Sequence, residues 1–171
     1  MKMAKKLLAV VLAGVLAVSL LTGCGGAGST KTIAEAMSDK SIAEAMSDMS
    51  EEGVVYQADP ELRQIAEKIV GPSAAMQEGK PDIYDKIMKI MGDDYDDKYV
   101  WIAVTTTKGC DVTTQASNLL EDVDIDSNIN GAVADDTSPA AVRSIGTVPI
   151  TENGVDCRLA FITADAVQGK V

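Results

Sequence analysis

The chain has 171 residues, is 46% hydrophobic and carries 15 basic against 26 acidic residues, which gives a net charge of −11 without any histidine. This negative charge repels nucleic acid and anionic lipid headgroups, so electrostatic binding to either is disfavoured. The lack of histidine excludes Ser-His-Asp and Cys-His catalysis and His-ligated zinc. Composition therefore favours a non-enzymatic protein, and a small hydrolase that uses a carboxylate pair is the alternative.

The N-terminal segment has the pattern of a cleaved leader. Three lysines stand within the first six residues, and residues 7–21 follow without a charge. A helix needs about 20 apolar residues to cross the hydrocarbon layer, so this run is short for a permanent span. A charged start and a short apolar run are typical of a signal peptide. The run ends in Leu21-Thr22-Gly23-Cys24, which resembles the lipobox of bacterial lipoproteins.

The resemblance implies cleavage after Gly23 and lipidation of Cys24, with the mature chain anchored on the extracytoplasmic face of the cell membrane. Each buried CH₂ of the acyl chains contributes about 0.8 kcal/mol, so two chains hold a protein stably. Removal of residues 1–23 leaves 148 residues with 12 basic and 26 acidic side chains, a net charge of −14. That length suits one domain and is too short for a two-lobed solute receptor.

A nonapeptide is repeated directly after the proposed lipidation site. Lys31–Asp39 and Lys40–Asp48 are identical except that Ser41 replaces Thr32. Each copy has a capping box and favours helix. A shift of nine residues rotates a helix by about half a turn, so the apolar side chains of the two copies face opposite ways. We interpret residues 24–52 as the lipidated cysteine and a flexible or helical spacer, and residues 53–171 as one acidic domain.

The first half of this domain has clear helix and strand signals. Asp59-Pro60 predicts the start of an amphipathic helix that Gly71-Pro72 ends. A second amphipathic helix follows Pro81 and stops at Gly92. The β-branched and aromatic run of residues 99–107 then predicts a strand, in which Trp101 is a core residue.

The second half predicts a further helix and two hairpins. Asp111 caps a helix with apolar residues at helical spacing, and residues 123–129 alternate like a half-buried strand before the turn pair Asn130-Gly131. Ser138-Pro139 predicts a short helix ended by Gly146. Residues 147–152 and 155–163 predict a second hairpin, with Phe161 in the core and Pro149 at an edge or bulge.

These elements predict an α+β fold. Two N-terminal helices precede a mostly antiparallel sheet with β-hairpins, an order that is compatible with a ferredoxin-like sandwich.

One segment partly matches a calcium loop. Asp126, Asn128 and Asn130 supply oxygen side chains at positions 1, 3 and 5, and Gly131 stands at position 6. Position 12, where a bidentate Glu is expected, is Thr137. We favour the Asn-Gly hairpin, because it explains the alternation before it. The acidic run 93–97 is a second candidate for calcium, and a solvated loop is its commoner role.

Two cysteines, Cys110 and Cys157, remain in the mature chain. A disulfide between them would close a loop of 48 residues, and on the chain-entropy model it would add about 4 kcal/mol of stability. Export permits such a bond. Two separate buried thiols are the other interpretation.

Together these features predict a lipid-anchored binding or interaction module of the cell envelope. Its ligand would be another envelope protein, a peptide or a wall component. The alternatives are the carboxylate hydrolase and a calcium-stabilised surface module.

Replacement of Cys24 by Ser tests the anchor. Because the hydroxyl cannot form the thioether, we expect the variant to lose its acyl chains and leave the membrane fraction. Palmitate labelling and fractionation measure both effects. Cys110→Ser is the control and should stay labelled; a labelled Cys24→Ser protein would contradict the assignment.

Overall fold

The computed structural model describes residues 28–70, 83–152 and 154–169, with side chains from residue 37 onward except that of Glu152. The predicted leader, the lipobox with Cys24, the helix end at Gly71-Pro72 and the turn residue Asn153 lie outside these residues. Within the described part of the chain, no helix is both long and apolar enough to cross a membrane.

Four α-helices and one four-stranded sheet make up the described residues. The helices are α1 (Gly28–Met49), α2 (Pro60–Val70), α3 (Ile83–Met91) and α4 (Val112–Leu120), and the strands are β1 (Val55–Ala58), β2 (Lys98–Thr106), β3 (Thr137–Glu152) and β4 (Val155–Gln168). The strand order is β1-β3-β4-β2. β1 pairs with β3 in parallel, and the other two pairs are antiparallel.

Helices cover both faces of this sheet, because side chains alternate between two apolar clusters. The first cluster joins α2 and α3 to residues such as Val100, Leu159 and Phe161. The second joins α1 and α4 to residues such as Trp101 and Ile162. The α+β class is confirmed. The helices are not all N-terminal, however, the sheet is mixed, and the chain order from β1 onward is βααβαββ, which differs from the ferredoxin-like βαββαβ.

The helices predicted after Asp59, Pro81 and Asp111 are confirmed, and local signals explain why. Asp59 Oδ1 accepts hydrogen bonds from the N–H groups of Glu61 at 2.9 Å and Leu62 at 3.1 Å. Asp111 Oδ1 accepts one from the N–H of Thr114 at 2.8 Å. Gly92 follows α3 with φ of 93°, a conformation that glycine adopts without strain.

The interpretation of residues 24–52 as a spacer is wrong for the second nonapeptide. Ile42, Ala43 and Met46 are buried in the second cluster, whereas Met37 in the first copy is 67% exposed. The two copies were predicted to face opposite ways, and Met37 and Met46 do so: Met37 is exposed and Met46 is buried. The second copy packs α1 against the sheet, so the folded unit begins in this helix and not at residue 53.

The predicted strand over residues 123–129 is wrong. Asp124 instead caps a 3₁₀ turn, Ile125–Ser127, by accepting a hydrogen bond from the Ser127 N–H at 2.9 Å. The segment touches the edge of β2 at Val100, whose N–H donates to the side-chain oxygen of Asn128 at 2.8 Å. Because the side chain of Asn128 accepts this bond in place of a backbone carbonyl, the segment does not pair with β2 as a strand.

The hairpin at Asn130-Gly131 and the helix from Ser138 to Gly146 are also wrong. Gly131 lacks the positive φ that the predicted turn requires. Residues 137–146 belong to β3, since Thr137 pairs with Gln168 at the far end of β4. An irregularity in the register between Pro139 and Arg143 accommodates the proline.

The second hairpin is confirmed. Glu152 pairs with Val155, and Gly154 in the turn has φ of 78°. Pro149 lies beyond Ile145, the last residue of β3 that pairs with β1. Beyond Ile145 this side of β3 pairs with no described strand, so the missing N–H of Pro149 breaks no ladder hydrogen bond.

Gly146 sets how closely α2 approaches the sheet. A Cβ at this position would lie 2.6 Å from the carbonyl carbon of Leu62 and still closer to the backbone nitrogen of Arg63. We expect Gly146→Ala to lower the free energy of unfolding by about 1–3 kcal/mol, because backbone atoms must move. Urea denaturation measures it. Gly131→Ala is the control, since nothing lies within 4 Å of its Cβ; equal stability of the two variants would contradict the prediction.

Candidate binding groove

A groove of about 790 Å³ opens beside α1 on the second-cluster face of the sheet. The end of α1, the connection to β1, the 3₁₀ turn and the irregular part of β3 form its walls. Its lining is apolar at Met49, Val54, Leu120, Val123, Ile125 and Pro139, aromatic at Tyr56 and Trp101, acidic at Glu51, Asp124 and Asp126, and otherwise polar at Ser50 and Arg143.

Arg143 lies across the floor of this groove. Strand register puts Tyr56, Arg143, Ala164 and Tyr99 in one row across the sheet. Ala164 is small, so the long side chain of Arg143 has room to extend toward β2. Its guanidinium carbon lies 5.6 Å from the Tyr56 ring centre and 5.3 Å from the Trp101 ring centre. Both distances suit cation–π attraction.

No carboxylate of the described residues neutralises the charge of Arg143. Nη1 donates to the Tyr56 hydroxyl at 2.9 Å. Nε is buried and has no hydrogen-bond partner within the described ranges, nor does any described carboxylate form an ion pair with this side chain. Guanidinium presents a fork of donors that matches a carboxylate. The floor of the groove is thus suited to an anionic group.

Trp101 and the acidic rim are held by the turn after α4. Trp101 Nε1 donates to the backbone oxygen of Asp124 at 2.6 Å. The Trp101 ring also stacks on Tyr99, with centroids 5.5 Å apart and planes at 16°. Asp124 and Ser127 form a reciprocal capping box that fixes the turn. Asp124 and Asp126 are exposed and, with the exposed Glu51 of the α1–β1 connection, form what we call the acidic rim of the groove.

The three residues predicted for calcium are close together but have different roles. Asp126 lines the groove. Asn128 Oδ1 accepts from Val100 N–H, and Asn130 Nδ2 donates to the carbonyls of Tyr95, Asp96 and Lys98 at 2.8–3.0 Å. The two asparagines thereby fasten the loop to β2. Residues 28–70, 83–152 and 154–169 hold no group of three His, Cys, Asp or Glu side chains placed to bind a metal, and calcium binding stays a prediction.

Trp101 both belongs to the core and lines the groove, whereas the acidic run, Phe161 and the two described cysteines lie outside it. In the acidic run, Asp93, Asp94, Asp96 and Asp97 are exposed, while Tyr95 is half-buried against the first cluster. Trp101 and Phe161 are confirmed as core residues. No disulfide joins Cys110 and Cys157, both of which are described. Cys157 lies in the first cluster, and Cys110 lies in the β2–α4 connection, where its carbonyl accepts from Gln115.

Sequence reasoning missed Arg143 and Tyr56. The predicted helix from Ser138 to Gly146 included Arg143, and no role was assigned to this residue. The one signal in the sequence is the rarity of arginine, since Arg143 is one of only three in the chain. The structure shows that the other two, Arg63 and Arg158, belong to a second network.

That network lies at the opposite end of the same sheet face. Asp39 of α1 is 3% exposed and accepts a short hydrogen bond from the Thr147 hydroxyl. Thr147 in turn accepts one from Arg158 Nη1 at 2.8 Å, and Arg63 Nη1 lies 3.9 Å from Asp39 Oδ2. Burial raises the pKa of Asp39, and the Thr147 hydrogen bonds and the charges of Arg63 and Arg158 offset only part of this effect. The network ties α1 to β3, β4 and α2.

The chain matches no family model, no curated protein and no solved structure. The groove and the network therefore carry the functional argument alone.

The raised pKa of Asp39 predicts the pH dependence of its contribution to stability. A carboxyl whose pKa is higher in the folded state stabilises the fold below its unfolded pKa, and this contribution is lost as pH rises through the folded pKa. We therefore expect the stability of the parent protein relative to Asp39→Asn to fall as pH increases from about 3. Urea denaturation across pH measures the difference between the free energies of unfolding of the two proteins. The other carboxylates contribute equally to both proteins, so their effects cancel in this difference. A difference that grows with pH would contradict the prediction.

Proposed function

We propose that this protein is a lipid-anchored binding module on the extracytoplasmic face of the cell membrane, and that the groove around Arg143 receives a peptide ligand. The observation that carries the proposal is a guanidinium in a groove with no carboxylate partner among the described residues, in a protein with 26 acidic residues. Lys98, by contrast, forms an ion pair with Asp165 at 2.8 Å. The carboxylate that is missing at Arg143 would come from the ligand.

The groove combines three kinds of contact. Arg143 suits a carboxylate, the apolar wall suits an aliphatic side chain, and Glu51, Asp124 and Asp126 suit a basic group. Short peptides carry all three groups on one chain. Polyanions are disfavoured, because the rim would repel their additional charges.

The position of the groove supports a surface role. It is bordered by the end of α1, the helix that follows the predicted anchor at Cys24. A ligand held here would be bound at the membrane surface, which suits capture of an envelope peptide or of a peptide segment of another envelope protein or the wall.

A tripeptide with a C-terminal carboxylate tests the ligand class. We expect Lys-Leu-Ala to bind the chain from residue 25 at least tenfold more tightly than its C-terminal amide, because a hydrogen bond to a charged group contributes about 1.5–3 kcal/mol. In Arg143→Met this preference should disappear. Isothermal titration calorimetry measures both affinities.

Lys98→Met is the matched control. It removes one positive charge outside the groove and should keep the preference for the acid over the amide. Equal affinities of the parent protein for acid and amide, or failure to bind the acid, would contradict the proposal.

A further inference from the structure

The helix α1 carries its docking surface twice. In the second copy, Ile42, Ala43 and Met46 are at most 2% exposed, and Ser47 Oγ accepts the backbone N–H of Tyr56 at 2.8 Å. Nine residues earlier the sequence has Ile33, Ala34, Met37 and Ser38 in the same order. The first copy thus contains every side chain that the second copy uses to contact the sheet and β1.

One buried position distinguishes the two copies. Asp39 precedes the second copy and enters the network with Thr147 and Arg63. The residue nine positions earlier is Thr30. If the first copy were docked, Thr30 would take the place of Asp39, and Arg63 and Arg158 would lose the nearby carboxylate. Removing one member of a buried charged group is strongly unfavourable.

We propose that α1 docks in two registers that differ by nine residues, and that Asp39 selects the register in which the second copy is buried. The apolar face and the serine contact are the same in both registers. The connection to β1 lengthens by nine residues in the second register, and loop-closure entropy grows only with the logarithm of loop length. The charged network is therefore the main difference between the two states.

The change of register would alter the lining of the groove and the distance between the lipidated Cys24 and the sheet. Lys40 would replace Met49 in the wall, and Ile42 would replace Glu51 at the rim. The helix between Cys24 and the sheet would shorten by nine residues, which is about 13 Å. The effect on ligand binding rests on the proposed function, whereas the two registers do not.

An exchange of Asp39 and Thr30 tests the proposal. In the parent protein Met37 is 67% exposed and Met46 is fully buried. We expect hydrogen peroxide to oxidise Met37 at least tenfold faster than Met46 in the full-length protein, because access controls methionine oxidation. In the double variant Thr30→Asp, Asp39→Thr, which has the same composition, the order of the two rates should reverse. Mass spectrometry of peptides measures both rates without any ligand.

Asp48→Thr is the matched control. It makes the same substitution nine residues further along, at an exposed position, and should keep the order of the parent protein. Continued protection of Met46 in the double variant would overturn the proposal. Rapid oxidation of both methionines with loss of the near-ultraviolet circular dichroism of Trp101 would also overturn it, because the second register should maintain the fold. Failure of the peptide experiment would leave this result unaffected.

Discussion

The contact of α1 with the sheet organises the remaining structure. A mixed sheet with alternating apolar side chains must be covered on both faces, and on one face α4 covers only part of the surface. Ile42, Ala43 and Met46 complete that cover, and they enclose a cluster that includes Trp101, Ile145 and Ile162. Because the end of α1 also forms one wall of the groove, the helix links the core, the groove and the segment that leads to Cys24.

Two positively charged regions divide this face of the sheet. At one end Arg63 and Arg158 surround the carboxylate of Asp39, so their charges are compensated within the protein. At the other end Arg143 lies over Tyr56 and Trp101, and aromatic faces compensate its charge only in part. The first arrangement stabilises packing, and the second leaves a cation available to a ligand. This difference is the basis of the proposal that a ligand binds at the second end.

The elements that could be predicted are those whose signals are local. Asp59 and Asp111 cap their own helices, Gly92 ends α3, and the turn before Val155 joins two paired strands. Residues 123–146 could not be predicted, because their conformation depends on partners far along the chain. Asn130 binds three carbonyls between Tyr95 and Lys98, and Asn128 binds Val100. Arg143 entered the groove only because this segment became a strand beside Tyr56.

The sequence by itself determined the α+β class, the capped helices, the second hairpin and the opposition of the two nonapeptides, since each follows from spacing within a few residues. Only the tertiary structure decided that one nonapeptide belongs to the core, that the sheet is mixed, and that Arg143, Tyr56 and Trp101 share a groove. These features depend on which strands become neighbours. The strand order is set by the need to bury the apolar side chains on both faces of the sheet at the same time. No local pattern specifies it, because the contacting residues lie up to 108 positions apart, as Asp39 and Thr147 do.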